Sequence, residues 1–168
     1  MSGNGSVGCR NLSYLVRMGY RGGLYCNPRI DKKLLREHSE GLIGLSACLG
    51  GEVAQTCMRR GSDAGEVVAR EFDDIFGRGN FFLELQPNGL EEQEQVNGSL
   101  IALARKTGIP LIATNDCNYL NQQDARAHEI LMCVQQKKTI HDEKRMHHRN
   151  EAFFVKTPAE MDAYFAHT

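Results

Sequence analysis

Apolar positions along this chain alternate between two spacings. Leu42, Ile43, Gly44, Leu45, Ser46 and Ala47 form an almost unbroken apolar run of strand length, stopped by Cys48, Leu49, Gly50 and Gly51. Residues 81–86 form a second run, halted by Pro87-Asn88-Gly89, and residues 109–113 a third, ending at Thr114, Asn115 and Asp116. Between the runs the spacing is helical. Residues 52–60 read as one helix, and a second, capped at Ser62-Asp63, carries Val67, Val68, Phe72, Ile75 and Phe76 on its apolar stripe. Residues 91–107 read as a third, closed by Gly108 with Pro110 just beyond. A further helix is expected over 122–135. Upstream, Asn11 is read as the cap of a helix with Leu12, Leu15, Val16 and Gly19 on one face, and Asp31 as the cap of a short helix over 32–38. Downstream, residues 153–155 read as a last short strand, and Thr157-Pro158 with Glu160 opens a closing helix.

Counted from Leu42, the order is β, α, α, β, α, β, α. Short connections of this kind imply right-handed crossovers and a parallel sheet, so the fold class is α/β. Parallel strands bring their carboxyl ends to one rim, where this class builds its sites. Three strands end there in polar or soft side chains: Cys48 after the first, Glu84 and Gln86 on the second, Asp116 and Asn118 after the third. A thiolate and a carboxylate with one more nitrogen or oxygen donor suit zinc, with manganese or iron as further possibilities. Two plainer readings stand beside this one: Cys48 packing as a small residue before the Gly50-Gly51 turn, and Asn115 with Asp116 forming an Asx-type turn that caps the next element.

Composition narrows the partners rather than the fold. The 168 residues suit one domain, and a net charge of -1 with 24% charged residues gives no bulk reason for tight binding to nucleic acid or a membrane surface. No apolar run reaches membrane-spanning length and the N-terminus has no signal-peptide pattern, so the chain reads as soluble and cytoplasmic. Residues 1–9, dominated by Gly, Ser and Asn, read as a disordered or cloning-derived end, with the domain proper over 10–168. The six cysteines, 9, 26, 48, 57, 117 and 133, contain no C-x-x-C pair and read as reduced thiols. His141, His147 and His148 sit among Lys144, Arg145 and Arg149, where a solvated basic loop competes with a metal cluster.

Several runs together carry a resemblance. GLIGLSACLGGEV from Gly41, FFLELQPNGLEEQEQVN from Phe81, IPLIATNDCNYL from Ile109, DARAHEILM from Asp124 and FVKTPAEM from Phe154 resemble, in order, the bacterial DNA polymerase III α subunit family. The likeness is to the later part of its N-terminal polymerase and histidinol phosphatase (PHP) domain. It implies a partial, distorted (β/α)7 barrel with a metal centre at the strands' carboxyl ends. It further implies that Cys48 in the S-x-C-L-G run and Asp116 in the T-N-D-x-H run are metal ligands. The histidine of that second motif falls at Asn118, and an amide oxygen is a far poorer ligand than imidazole for zinc-like ions.

The family's early H-x-H motif has no counterpart ahead of Arg10, and the polymerase palm would lie beyond Thr168, so the chain reads as a fragment. The implied parent is a DNA-directed DNA polymerase that joins deoxynucleotides to a primer end with magnesium; the fragment alone would be inactive. In that parent the PHP segment would either use zinc or manganese in 3′ to 5′ exonuclease proofreading, or act as a non-catalytic scaffold. The partners implied are DNA, a separate proofreading exonuclease subunit and other replicase subunits, with no membrane.

Overall fold

The computed structural model describes residues 2–3, 5–25, 27–146 and 150–166. The chain divides into two compact units, Met1–Glu84 with Gly98–Ile112, and Leu85–Asn97 with Ala113–Thr168. The elements run β1 (Ser2–Gly3), α1 (Gly5–Gly22), β2 (Leu24–Tyr25), β3 (Asn27–Pro28), α2 (Lys32–Glu37), β4 (Leu42–Leu45), α3 (Glu52–Arg60), α4 (Ser62–Phe76) and β5 (Phe81–Leu85). After these come α5 (Glu91–Thr107), β6 (Leu111–Ala113), α6 (Ala125–Gln136) and α7 (Pro158–Phe165).

In the first unit, β4 and β5 pair in parallel, with Gly44 opposite Phe81 and Leu45 opposite Phe82. The chain enters β6 in the same direction, the Leu83 N–H donating to the Pro110 carbonyl at 2.9 Å. The expected parallel α/β arrangement is therefore present, with β1 added antiparallel to β4. Leu15, Leu42, Phe81 and Leu83 are at most 1% exposed and make the core of this unit. The Phe81 ring stacks on Phe72 and Phe76 at centroid distances of 5.5 and 5.9 Å. A Cβ on Gly44 would lie 2.4 Å from the Phe76 ring, so a glycine on β4 is what lets that ring lie over the strand. Burying each such side chain is worth about 2–3 kcal/mol.

Local signals held where a cap chemistry was specific. The Asp31 carboxylate accepts from the Leu34 N–H at 2.8 Å, α5 has the expected bounds, and Gly108 follows it at φ 76. Thr157 and Glu160 form a reciprocal capping box with Pro158 in the first turn.

Other expectations need correction. Helix α1 begins at Gly5, not after Asn11, and Ser2–Gly3 is a strand, so the described residues of the supposed disordered end are regular structure. The physical reason is close approach: a Cβ on Gly8 would sit 2.1 Å from the Gly41 carbonyl oxygen, so that glycine is a packing residue. Asn11, inside the helix, donates its side-chain amide to the Glu40 carbonyl at 2.9 Å instead of capping. Helix α4 is preceded by Gly61 at φ 87, which serves as last cap of α3 and first cap of α4. Its left-handed backbone reverses the chain between the helices, which Ser62 could not do cheaply. In the second unit, residues 153–155 contribute one parallel bridge, Phe154 with Tyr119, and not a full strand. Helix α6 is entered through a 3-10 turn, Gln122–Asp124, closed by an Asn121–Asp124 capping box. Among the described residues no helix is long and apolar enough to cross a membrane.

Candidate functional site

Cys48 stands in the first unit at the carboxyl end of β4, where the sequence puts it. Two bonds continue the strand pair beyond its last residue: the Ser46 N–H donates to the Phe82 carbonyl at 3.0 Å, and the buried Ser46 hydroxyl accepts from the Glu84 N–H at 2.9 Å. Ala47 then takes φ 62, a left-handed conformation that costs a non-glycine residue about 1 kcal/mol. The Gly51 N–H closes the turn on the Cys48 carbonyl at 2.8 Å, and a Cβ on Gly51 would fall 2.1 Å from the Ser46 oxygen. The sequence S-A-C-L-G-G thus makes a tight, strained turn that leaves the Cys48 thiol half-buried beside the start of α3.

Asp116 and Asn118 belong to the second unit, after β6. Its last ladder bond runs from the Thr114 N–H to the Leu85 carbonyl at 3.0 Å. Beyond it, segment 115–119 is tied to segment 153–156. The Asn115 amide donates to the Phe154 carbonyl at 2.7 Å, and the Asn118 N–H to the Phe153 carbonyl at 2.8 Å. Lys156 lies over the Phe154 ring at 4.6 Å and donates to Asn115 Oδ1 at 3.3 Å; burial holds its ammonium below the usual lysine range. The Asx-turn alternative is not what forms, because Asn115 spends its side chain on this distant segment and Asn121 with Asp124 caps the next helix. Asp116 is half-buried and, among the described residues, its carboxylate accepts no hydrogen bond; the Asn118 side chain is exposed.

Gln86, named from the sequence as a strand-end polar residue, takes part in a buried amide network that sequence reasoning missed. Asn97, 4% exposed, donates to the Gln86 carbonyl at 3.0 Å and accepts from Gln93 Nε2 at 3.0 Å. Gln93, fully buried, accepts from Asn88 Nδ2 at 3.4 Å, and the Asn88 carbonyl accepts from Asn150 Nδ2 at 2.8 Å. One signal was available: Gln93 and Asn97 are four apart, on the same helix face as Val96 and Leu100. Nearby in this unit, a cavity of about 300 Å³ is lined by Tyr119, Arg126, His128, Met132, Asn150 and Glu151. The Tyr119 and His128 rings are 5.5 Å apart, and burial pushes the Tyr119 phenol up.

Cysteines 9, 48, 57, 117 and 133 are free thiols, while Cys26, His147, His148 and Arg149 lie outside the described residues. Among the described residues no three His, Cys, Asp or Glu side chains gather as a metal-holding group. Cys48 belongs to one unit and Asp116 to the other. With a carboxamide at 118, these donors do not by themselves make up a zinc- or manganese-type shell.

Comparison with known proteins gives the family. The PHP domain family matches residues 4–88, the stretch from α1 through β5 and its Pro87-Asn88 stop. DNA polymerase III subunit alpha of Thermus aquaticus is 46% identical over 157 residues, covering 94% of this chain and 13% of that protein. The subunits from Treponema pallidum and Deinococcus radiodurans are 39% and 42% identical, over 96% and 92% of this chain and 14% and 12% of theirs. The chain thus spans between a tenth and a sixth of the length of these relatives. The family match covers half of the chain and takes in the β4 turn with Cys48, so this chain belongs to the PHP domain family.

Proposed function

We propose that this chain is the PHP segment of a bacterial replicative DNA polymerase α subunit, and that in such a parent it is a scaffold. Its role there is to hold the polymerase and dock a separate proofreading exonuclease subunit, not to cut DNA itself. The similarity to polymerase III α subunits over nearly the whole chain supports the parent. In that reading the parent works in the cytoplasm on a DNA primer end, with magnesium at a polymerase centre outside this segment, and the segment alone is inactive.

Asn118 is the observation that carries the scaffold reading. It occupies the slot where imidazole would complete a T-N-D-x-H ligand pair, and its backbone is already committed to holding residue 153. A domain relieved of metal chemistry keeps its value as a packed frame, and the tied 115–119 and 153–156 segments with the buried amides serve that role. Cys48 and Asp116 favour the rival reading, a zinc- or manganese-dependent 3′ to 5′ exonuclease, because both keep the residue type a ligand needs.

Elemental analysis of the purified parent, with a 3′-mismatched primer assay, separates the two. The scaffold reading expects well under one zinc or manganese per chain, no excision that depends on Asp116, and metal uptake on Asn118→His. One bound metal per chain together with mismatch excision abolished by Asp116→Ala would overturn it.

A further inference from the structure

Helix α1 is amphipathic, yet its solvent face carries one sign of charge only. Gly8, Leu15 and Gly19 are buried, while Arg10, Arg17 and Arg21 are exposed. At ~100° per residue the three arginines fall within ~40° of one another, opposite the buried face. The helix contains no Asp or Glu, and among the described residues none of the three guanidiniums makes an ion pair. An ordinary solvated face mixes both signs, as α4 and α5 do where Glu66 holds Arg70 and Lys106 at 2.9 and 2.6 Å.

An aromatic side chain is set into the same stripe. Tyr14 lies between Arg10 and Arg17, with the Arg17 guanidinium 5.1 Å from its ring centroid and the His38 ring at 4.4 Å. Of the nearby acids, Glu40 meets the helix through its backbone carbonyl, which accepts from Asn11, and Glu37 and Asp31 share a hollow with Met18 and Gly22 on the flank of the stripe. From Arg10 to Arg21 the stripe is about 16 Å long, enough to face several phosphates of a strand that presents one every ~3.4 Å of duplex axis.

We propose that the Arg10–Arg17–Arg21 face of α1, with Tyr14, is a nucleic-acid surface that grips the phosphodiester backbone without reading sequence. Unpaired arginines in a row supply forked donors for phosphate oxygens, and the Tyr14 ring, with His38 against it, steadies the Arg17 guanidinium within the row. With a net charge of -1 overall the attraction is local, so binding is modest and strongly salt-dependent. The surface deepens the reading of a DNA-working parent and rests on it for relevance, though not for its test.

The test is fluorescence anisotropy of the 168-residue chain with a labelled 20-nucleotide strand across a salt series. Contact with three phosphates predicts log affinity falling about two units per tenfold rise in salt on a single strand. Substituting all three arginines by Gln is expected to weaken binding at least tenfold and flatten that slope, with thermal unfolding unchanged because the sites are exposed. The all-Lys variant keeps most of the slope. Equal binding by wild type and the Gln variant, or no binding by wild type, would overturn the proposal. So would polyglutamate of matched charge competing better than the unlabelled strand, which would assign the face to an acidic protein. Primer extension by the parent is read separately: a parent that extends primers while the Gln variant binds as wild type leaves the polymerase reading standing and this surface rejected.

Discussion

The two units of this protein are held together by different physics. In the first, Leu15, Leu42, Val53, Phe81, Leu83 and Leu100 are at most 1% exposed, and Phe72, Phe76 and Phe81 stack over β4 and β5. In the second, the apolar residues Leu85, Val96 and Phe153 are buried together with four side-chain amides, Gln86, Asn88, Gln93 and Asn97. An apolar core is non-directional and tolerates small shifts, whereas a buried amide holds only if its partners stay within hydrogen-bond reach. The second unit therefore trades tolerance for fixed placement along the amide chain, from Gln86 through Asn97, Gln93 and Asn88 to Asn150.

The contrast breaks most readily in the apolar unit. Leu83→Ala empties a site that is 0% exposed and is expected to cost about 2–5 kcal/mol, read as a lower urea midpoint. Leu131→Ala, at a position 64% exposed, should stay within about 0.5 kcal/mol. Equal effects of the two would show that the packing around Leu83 adds nothing beyond an exposed contact.

Next in size is Asn97→Leu, which keeps the branched shape but removes the bonds to the Gln86 carbonyl and from the Gln93 amide. Losing such bonds to buried groups costs about 1–3 kcal/mol. Hydrogen exchange should accelerate in the second unit, at residues 86–97 and 150–155, before it does at β4. Uniform acceleration along the chain would show that the amides support the whole fold rather than this unit.

The smallest effect is one of pH. The Thr157 N–H and hydroxyl hold the Glu160 carboxyl below its usual range, and the Thr139 N–H and hydroxyl do the same for Asp142. A lowered folded-state value means a contribution fully present above the unfolded value, ~4.3 for glutamate, and lost as pH falls through the folded one. Thermal melts from pH 6 to 3 should show the wild-type advantage over Glu160→Gln shrinking across that window. An advantage independent of pH would mean the capping carboxylate adds nothing by its charge.

Much of the fold was legible because its signals are local. The strand runs at 42, 81 and 109, the bounds of α5, the Asp31 cap and the Thr157–Glu160 box follow from side-chain period and from hydrogen bonds spanning three residues. The start of α1 was not legible, because Gly8, which looks like part of a loose end, is there for close backbone contact with Gly41. Nor was the cap of α4: Ser62-Asp63 is a sound local signal, overruled by Gly61, which has to end one helix and begin the next.

For the candidate site, the sequence by itself determined which residues stand at the strand ends, Cys48 after β4 and Asp116 with Asn118 after β6, because strand direction and length are written in the apolar pattern. It also determined that a carboxamide, not an imidazole, occupies position 118. Only the tertiary structure decided how those residues are held: the left-handed Ala47 before Cys48, the bonds from Asn115 and Asn118 to residues 153 and 154, and the amide chain from Gln86 to Asn150. Each of these joins groups by direction and distance across the fold, and a pattern of hydrophobic and polar positions contains neither.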